Sequence, residues 1–64
     1  MGKTNEMLEL MNSILMLEHS AKIGHNTPEK LKANAKMRLT KIDSLIQKLE
    51  WAKGNANSDL KLNN

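Results

Sequence analysis

The chain has 64 residues, no cysteine and a formal net charge of +3. A chain of this length forms at most one small domain, which usually needs a disulfide, a metal or a partner subunit to be stable. The lack of cysteine excludes disulfides, thiolate zinc sites and cysteine nucleophiles. The longest apolar run, Ile14–Leu17, is far shorter than the ~20 residues of a membrane span. The N-terminus, with Lys3 followed by Glu6 and Glu9, does not resemble a signal peptide. We therefore expect a cytoplasmic protein that does not enter a membrane.

The first predicted element is a helix over residues 4–23. Its apolar residues form two adjacent rows, namely Met7, Leu10, Ile14, Leu17 and Ala21 in the first and Leu8, Met11 and Leu15 in the second. Together the rows are wider than the ~100° face that a surface helix normally buries. One neighbouring helix cannot cover that width. Gly24 follows directly and offers the left-handed position that ends many helices.

Thr27-Pro28-Glu29 predicts the start of a second helix, over residues 28–53. Thr27 can accept a hydrogen bond from a free backbone N–H, Pro28 loses nothing at the first helical position, and Glu29 complements the helix dipole. The apolar face of this helix comprises Leu31, Ala35, Leu39, Ile42, Leu45, Ile46, Leu49 and Ala52. Gly54 marks its predicted end. Residues 54–64 are rich in Asn and are predicted to be a polar, mostly disordered tail that docks Leu60 or Leu62 in an assembly.

The predicted turn over residues 24–27 is short, so the two helices should fold back as an antiparallel hairpin over residues 1–53. Pairing outward from the turn places Leu17 near Ala35 and Leu10 near Ile42. The same count pairs Lys3 with Leu49, which leaves Trp51 on an overhanging end.

A single hairpin would leave the second apolar row of the first helix in water. We therefore predict an all-α homo-oligomeric helical bundle, most simply a four-helix dimer of two hairpins. The predicted oligomer core consists of Leu8, Met11, Ile14 and Leu15. The first expected partner of this chain is therefore a second copy of itself.

Arg38 lies within the apolar face of the second helix, between Ala35 and Ile42. It could contact an anion, or it could form a buried ion pair with an acid on another helix, such as Glu18. A third interpretation has its aliphatic stem cover the core while the guanidinium reaches the edge. We favour this third interpretation, because long side chains commonly adopt that arrangement.

Trp51 is the only aromatic residue of the chain and lies away from the apolar face. Trp is enriched in binding hot spots. It could form a seam between subunits, a hot spot for a different protein, or a platform on which a base stacks. The predicted binding face for a protein or a ligand comprises Met37, Lys41, Lys48 and Trp51.

Catalysis and metal binding are not expected. His19 and His25 are six residues apart, on different sides, and no local carboxylate completes a metal site with them. The chain has no Gly-rich phosphate loop, and a hairpin has no concave pocket that excludes water. We expect a protein without enzymatic activity, metal or cofactor.

Two resemblances suggest anion binding. Two helices, a short turn and a polar tail resemble the layout of plasmid-type RNA-binding hairpin dimers of the repressor-of-primer kind. Pro28-Glu29, the segment Thr40-Lys41-Ile42-Asp43 and Trp51-Ala52 are similar to parts of small helical phage proteins that sequester cyclic nucleotides and blunt CBASS immunity. These resemblances imply that basic residues at a subunit seam would hold phosphates.

The leading functional prediction is a small, non-catalytic helical protein that binds and inhibits another macromolecule, most simply a protein. Its short, Asn-, Lys-, Met- and Leu-rich sequence suits a phage or mobile-element protein. The first alternative is an anion binder, for RNA or a nucleotide. The second alternative is a structural assembly unit of a larger particle.

Overall fold

The computed structural model describes residues 2–62 and shows two α-helices joined by a short turn. Helix α1 spans Gly2–Ile23 and helix α2 spans Pro28–Leu60. The helices pack against each other in a rod with extents of 57 × 17 × 17 Å. Residues 2–62 contain no strand. The predicted all-α helical hairpin is therefore confirmed, with α1 beginning two residues earlier than expected.

The start of α2 has the predicted cap. The Thr27 hydroxyl accepts a hydrogen bond from the backbone N–H of Lys30 at 3.2 Å, and its carbonyl accepts one from Leu31 at 3.0 Å. Pro28 occupies the first turn, where its missing N–H costs nothing, and Glu29 is the acid of that turn. These contacts fix the point at which the chain turns back toward α1.

The end of α1 differs from the prediction for Gly24. No residue within residues 2–62 has a positive φ, so Gly24 does not adopt the left-handed conformation. Its N–H instead continues the helical pattern to the carbonyl of Ser20 at 3.2 Å. The Asn26 side-chain amide caps the helix by donating toward the carbonyls of Ser20, Ala21 and Gly24 at 3.2–3.4 Å. This amide satisfies carbonyls that a helix end leaves free.

Gly24 is nevertheless suited to this turn. A Cβ at this position would lie 3.2 Å from the Ser20 carbonyl oxygen and 3.3 Å from the Asn26 amide nitrogen. The glycine therefore leaves room for the Asn26 amide to reach the end of the helix.

Helix α2 continues beyond its predicted end. It ends at Leu60 instead of residue 53, so the first seven residues of the predicted tail 54–64 are helical. Gly54 costs about 1 kcal/mol relative to Ala within a helix, which weakens α2 without stopping it. No proline follows Pro28 to force an end. Asn63 and Asn64 lie outside the described residues.

The seam between the helices contains the predicted first row of α1. Met7, Leu10, Ile14, Leu17 and Ala21 are all half-buried, and so are Ala35, Ile42, Leu45 and Ala52 of α2. Ala21 and Ala35 lie near the turn, where small side chains allow close approach. This row is the continuous contact that holds the hairpin together.

The hairpin has no interior of its own. None of the residues 2–62 is buried, and the large apolar side chains outside the seam are mostly exposed. Two helices in contact cover only one side of each other, so this outcome follows from the width of the apolar rows. No helix within residues 2–62 combines the length and apolar character required to cross a membrane.

Candidate functional site

The seam divides the remaining surface of the hairpin into two flanks. At 3.6 residues per turn, α1 and α2 each project one set of side chains to either side of the seam. The polar flank comprises Glu6, Glu9 and Ser13 of α1 with Met37, Lys41, Ser44, Lys48 and Trp51 of α2. The apolar flank comprises Leu8, Met11 and Leu15 of α1 with Leu39 and Ile46 of α2.

The apolar flank is exposed along its whole length. Leu8 is 59% exposed and Leu15 64%, while Leu39 on the opposite helix is 61% exposed. Met11 and Ile46 lie between them at 46% and 49%. Three of the four predicted oligomer-core residues therefore lie on this flank, whereas Ile14 is half-buried in the seam. Apolar side chains concentrated on one side of a small protein are typical of an interaction surface.

Trp51 lies on the polar flank and is 39% exposed. The Lys3 ammonium nitrogen is 5.1 Å from the centroid of its ring. The first turn of α1 therefore partly covers Trp51, which was predicted to have little of its own chain beside it.

A shallow groove of about 510 Å³ runs along the polar flank. It is lined by Glu6, Glu9, Leu10, Ser13, Lys41, Ser44 and Lys48. Lys48 reaches across the groove to Glu6 with an N–O distance of 3.4 Å. The groove thus contains two acids and two lysines, and one lysine is already paired. Both helices contribute to it, so its shape depends on the hairpin register.

Met37 lies further toward the turn on the same flank. It is 50% exposed and lines a smaller depression of about 330 Å³ with Lys36, Thr40 and Lys41. The Thr40 hydroxyl donates to the Lys36 carbonyl at 3.1 Å and is engaged within the helix. The structure therefore brings all four predicted binding residues to one flank: Met37, Lys41, Lys48 and Trp51.

Arg38 forms an ion pair across the seam. Its Nη1 atom donates to Oε2 of Glu18 at 2.9 Å, with the Arg38 side chain 22% and the Glu18 side chain 43% exposed. The pair is partly buried. It therefore combines two of the interpretations of Arg38, the ion pair with Glu18 and the guanidinium that reaches the edge of the core. Because Glu18 remains well exposed to water, the pair contributes at most about 1 kcal/mol to stability.

A polar contact that the sequence analysis did not anticipate lies beside this ion pair. The Asn34 side-chain amide donates to the backbone carbonyl of Leu17 at 3.0 Å, across the seam. A polar side chain with one matching partner in an apolar seam fixes the relative position of two helices. The sequence signal was an Asn one residue before Ala35, on the face that packs against α1.

Asn26 and Lys3 were also missed. An Asn shortly after a helix is a recognised candidate for capping its end, but the end of α1 was predicted from Gly24 instead. The contact between Lys3 and Trp51 depends on how the two helices lie against each other at the open end of the hairpin. Neither contact could be located without knowing where the helices cross.

No group of three or more His, Cys, Asp or Glu residues within residues 2–62 is arranged to hold a metal ion. The pocket beside the turn is lined by Leu15, Met16, His19, Ser20, Ile23 and Gly24, and it is mainly apolar.

Comparisons of the chain with protein-family models, with curated proteins and with solved structures find no match.

Proposed function

We propose that this chain is a non-catalytic helical binding protein that pairs with itself through the apolar flank and engages another protein through the polar flank. The observation that carries the proposal is the separation of these two surfaces on opposite sides of one seam. A flank of exposed Leu, Ile and Met is suited to close contact with an identical flank. The flank with Trp51 would then remain free for a different partner.

The exposed area of the hairpin supports self-association. A compact globular chain of 7.2 kDa would expose about 4,100 Å², so the hairpin, at 5270 Å², exposes roughly 1,100 Å² more than its mass requires. A standard protein interface covers about 800 Å² on each partner. Pairing two apolar flanks would cover part of this surplus.

The chemistry of the polar flank favours a protein as the second partner. Trp51 and Met37 are exposed residues of types that are enriched in protein interfaces. The groove beside them carries both signs of charge, and the pairing of Lys48 with Glu6 reduces the attraction of the groove for phosphate. A partner surface with mixed charge and an apolar pocket for the Trp51 ring would complement it.

An anion partner is the second candidate function. It is favoured by the lysines of α2 that lie outside the groove. Among residues 2–62, the ion pairs of α2 involve only Arg38 and Lys48, so none of them holds these other lysines. RNA or nucleotide binding through several lysines would weaken steeply as salt concentration rises. Protein binding through Trp51 would depend much less on salt.

Self-association is tested by sedimentation of two matched variants. Leu39→Lys places a charge on the apolar flank, and Met37→Lys places the same charge on the polar flank, at positions that are 61% and 50% exposed. We expect wild type and Met37→Lys to sediment as dimers or larger species, and Leu39→Lys to dissociate at least tenfold more readily. A wild-type chain that sediments as a folded monomer would refute this part of the proposal.

Partner binding is tested by recovering the protein from cells that produce it and identifying the bound molecules by mass spectrometry. The wild type is compared with Trp51→Ala and with His25→Ala, which changes an exposed residue of the turn. We expect a protein that is retained at high salt, lost with Trp51→Ala and kept with His25→Ala. Recovery of RNA or a nucleotide that is lost at high salt would favour the second candidate instead.

A further inference from the structure

The side of α2 that is turned away from the seam carries one continuous row of side chains, which includes the two apolar-flank residues of this helix. The row advances by alternating steps of three and four residues, which keeps its members on one face. Every member is exposed, and neither ion pair within residues 2–62 involves one of them. We name this set the outer row: Glu29, Lys32, Lys36, Leu39, Asp43, Ile46, Glu50 and Lys53.

The charges at the two ends of the outer row have opposite signs at equal distances from its centre. Glu29 and Lys53 each lie twelve residues from Lys41, and Lys32 and Glu50 each lie nine residues from it. Reversing the direction of the helix about the level of Lys41 therefore places each of these four charges where a charge of the opposite sign stood. The row is complementary to an antiparallel copy of itself.

The apolar flank of α1 has its centre at the same level. The hydrogen bond from the Asn34 amide to the Leu17 carbonyl, at 3.0 Å, aligns the two helices. Lys41 lies seven residues beyond Asn34, and Met11 lies six residues before Leu17, so Lys41 and Met11 are level to within one residue. The two exposed leucines of the apolar flank on α1 lie three residues before Met11 and four residues after it. The apolar contact and the charges thus share one centre.

We infer that a second copy of this chain covers the apolar flank in one particular arrangement, with the turns of the two hairpins at opposite ends. This inference rests on the self-association proposed above and specifies its geometry. A two-fold axis perpendicular to the helices, at the level of Lys41, relates the copies, so α1 packs on α1 and α2 on α2. Lys32 then lies level with Glu50 of the partner subunit, and Glu29 lies level with Lys53 of the partner subunit. Each of these pairs occurs twice.

The remaining charges of the outer row also fit this arrangement. Lys36 lies level with Ile46 of the partner subunit, and three residues, or about 4.5 Å, from Asp43 of the partner subunit. Its aliphatic stem can cover the isoleucine while its ammonium group reaches the carboxylate. Every charge of the row therefore has an opposite charge within reach. Such charges beside an apolar contact determine the partner and the orientation of packed helices.

The alternative arrangement, with both turns at the same end, does not match the charges. It would place α2 of one copy on α1 of the other. Between residues 2 and 16, α1 carries two acids, which line the groove of the polar flank, and Lys3, which contacts Trp51 on that same flank. Asp43 and Glu50 would therefore lie against the apolar flank of α1 with no positive residue beside them. The charges of the outer row favour the arrangement with the turns at opposite ends.

The test mixes two charge variants, Lys32→Glu and Glu50→Lys, in sedimentation at low salt, where exposed charges are least screened. Each variant alone brings like charges together at two places, so we expect it to dissociate at least tenfold more readily than the wild type. The mixed dimer of the two variants restores opposite charges at both places, so an equimolar mixture should associate within about threefold of the wild type. Lys30→Glu makes the same change on another side of α2 and should associate like the wild type.

Two outcomes separate this inference from the proposed function. A mixture that dissociates as readily as the single variants would overturn the arrangement and leave self-association through the apolar flank in place. A wild-type chain that sediments as a folded monomer would refute the proposed self-association and this arrangement with it.

A second measurement reports the arrangement without changing the outer row. His25→Cys gives the full chain, which has no cysteine of its own, one thiol for a spin label at an exposed residue of the turn. Thr27, the last residue of the turn, is 14 residues from Lys41, or about 21 Å along α2, so turns at opposite ends are about 42 Å apart. We expect electron paramagnetic resonance to give a distance of about 40 Å or more between the labels of a dimer. A distance below about 20 Å would overturn the inference, since turns at the same end lie only about one interhelical spacing apart.

Discussion

The Lys3 ammonium lies 5.1 Å from the centroid of the Trp51 ring and joins the first turn of α1 to the last part of α2 that α1 accompanies. Together with the turn at residues 24–27, this contact encloses the hairpin seam at both ends. The sole aromatic side chain of the protein therefore has a structural contact on one side while remaining 39% exposed. It also serves as a single fluorescent reporter at the open end of the hairpin.

Replacing Lys3 with Gln is expected to loosen this end of the hairpin. A cation over an aromatic face at an exposed site contributes about 0.5–1 kcal/mol. We expect the free energy of unfolding to fall by about that amount, measured by urea titration with Trp51 fluorescence. Lys61→Gln, which removes the same charge beyond the end of α2, should leave the titration unchanged. Equal behaviour of the two variants would contradict a specific contact between Lys3 and Trp51.

Thr27→Ala is expected to weaken the start of α2. Loss of the hydrogen bond from the Lys30 N–H to the Thr27 hydroxyl removes an N-cap, which typically costs about 1 kcal/mol. Circular dichroism during thermal unfolding measures the change. Thr40→Ala is the matched control, because its hydroxyl bonds back to Lys36 within the helix and Ala is the better helix former. A Thr40→Ala variant that is the less stable of the two would contradict the assigned cap.

Asn34→Ala tests the polar contact across the seam. It removes the hydrogen bond to the Leu17 carbonyl, so we expect a loss of about 1 kcal/mol in the free energy of unfolding. Asn55→Ala makes the same change on an exposed part of α2 near its end, where the higher helix propensity of Ala should increase helix content. Urea unfolding compares the two. A stabilised Asn34→Ala chain would show that this hydrogen bond does not hold the helices together.

Two glycine variants should have opposite effects. A Cβ at Gly54 would meet no atom within 4 Å, whereas one at Gly24 would lie 3.2 Å from the Ser20 carbonyl oxygen. Gly54→Ala should therefore strengthen α2 by up to about 1 kcal/mol and raise the helical signal in circular dichroism. Gly24→Ala should lower the melting temperature, since the turn must shift to admit the methyl group. A decrease in helicity with Gly54→Ala would show that the helix does not continue through this residue.

Local sequence signals predicted the start of α2 correctly, but they did not predict where α2 ends. Thr27-Pro28-Glu29 located the start of α2, because a cap, a proline and a first-turn acid act through neighbouring backbone groups alone. Gly54 was a misleading signal, since a glycine ends a helix only where the following backbone adopts a turn. The actual end at Leu60 depends on residues that neither favour nor forbid a helix strongly.

The apolar rows predicted which side chains meet in the seam, but they did not fix the register at the open end. Spacing along each helix places Leu17 opposite the region of Ala35 to within one residue, as the contact from Asn34 shows. The contact between Lys3 and Trp51 was not predicted, because the path of the turn and the crossing of the helices are set by packing. The polar flank was predicted as a set of residues, whereas its pairing of Glu6 with Lys48 required the register.

The lack of any buried residue within residues 2–62 has a consequence for the life of the protein in a cell. A solitary hairpin would hide little surface from water, so its unfolding would absorb little heat and respond gradually to temperature. Mass action then couples folding to binding, because a partner that binds only the folded chain shifts the folding equilibrium toward the folded state. Under the proposed self-association, scarce copies would remain open to proteases, whereas plentiful copies would protect each other.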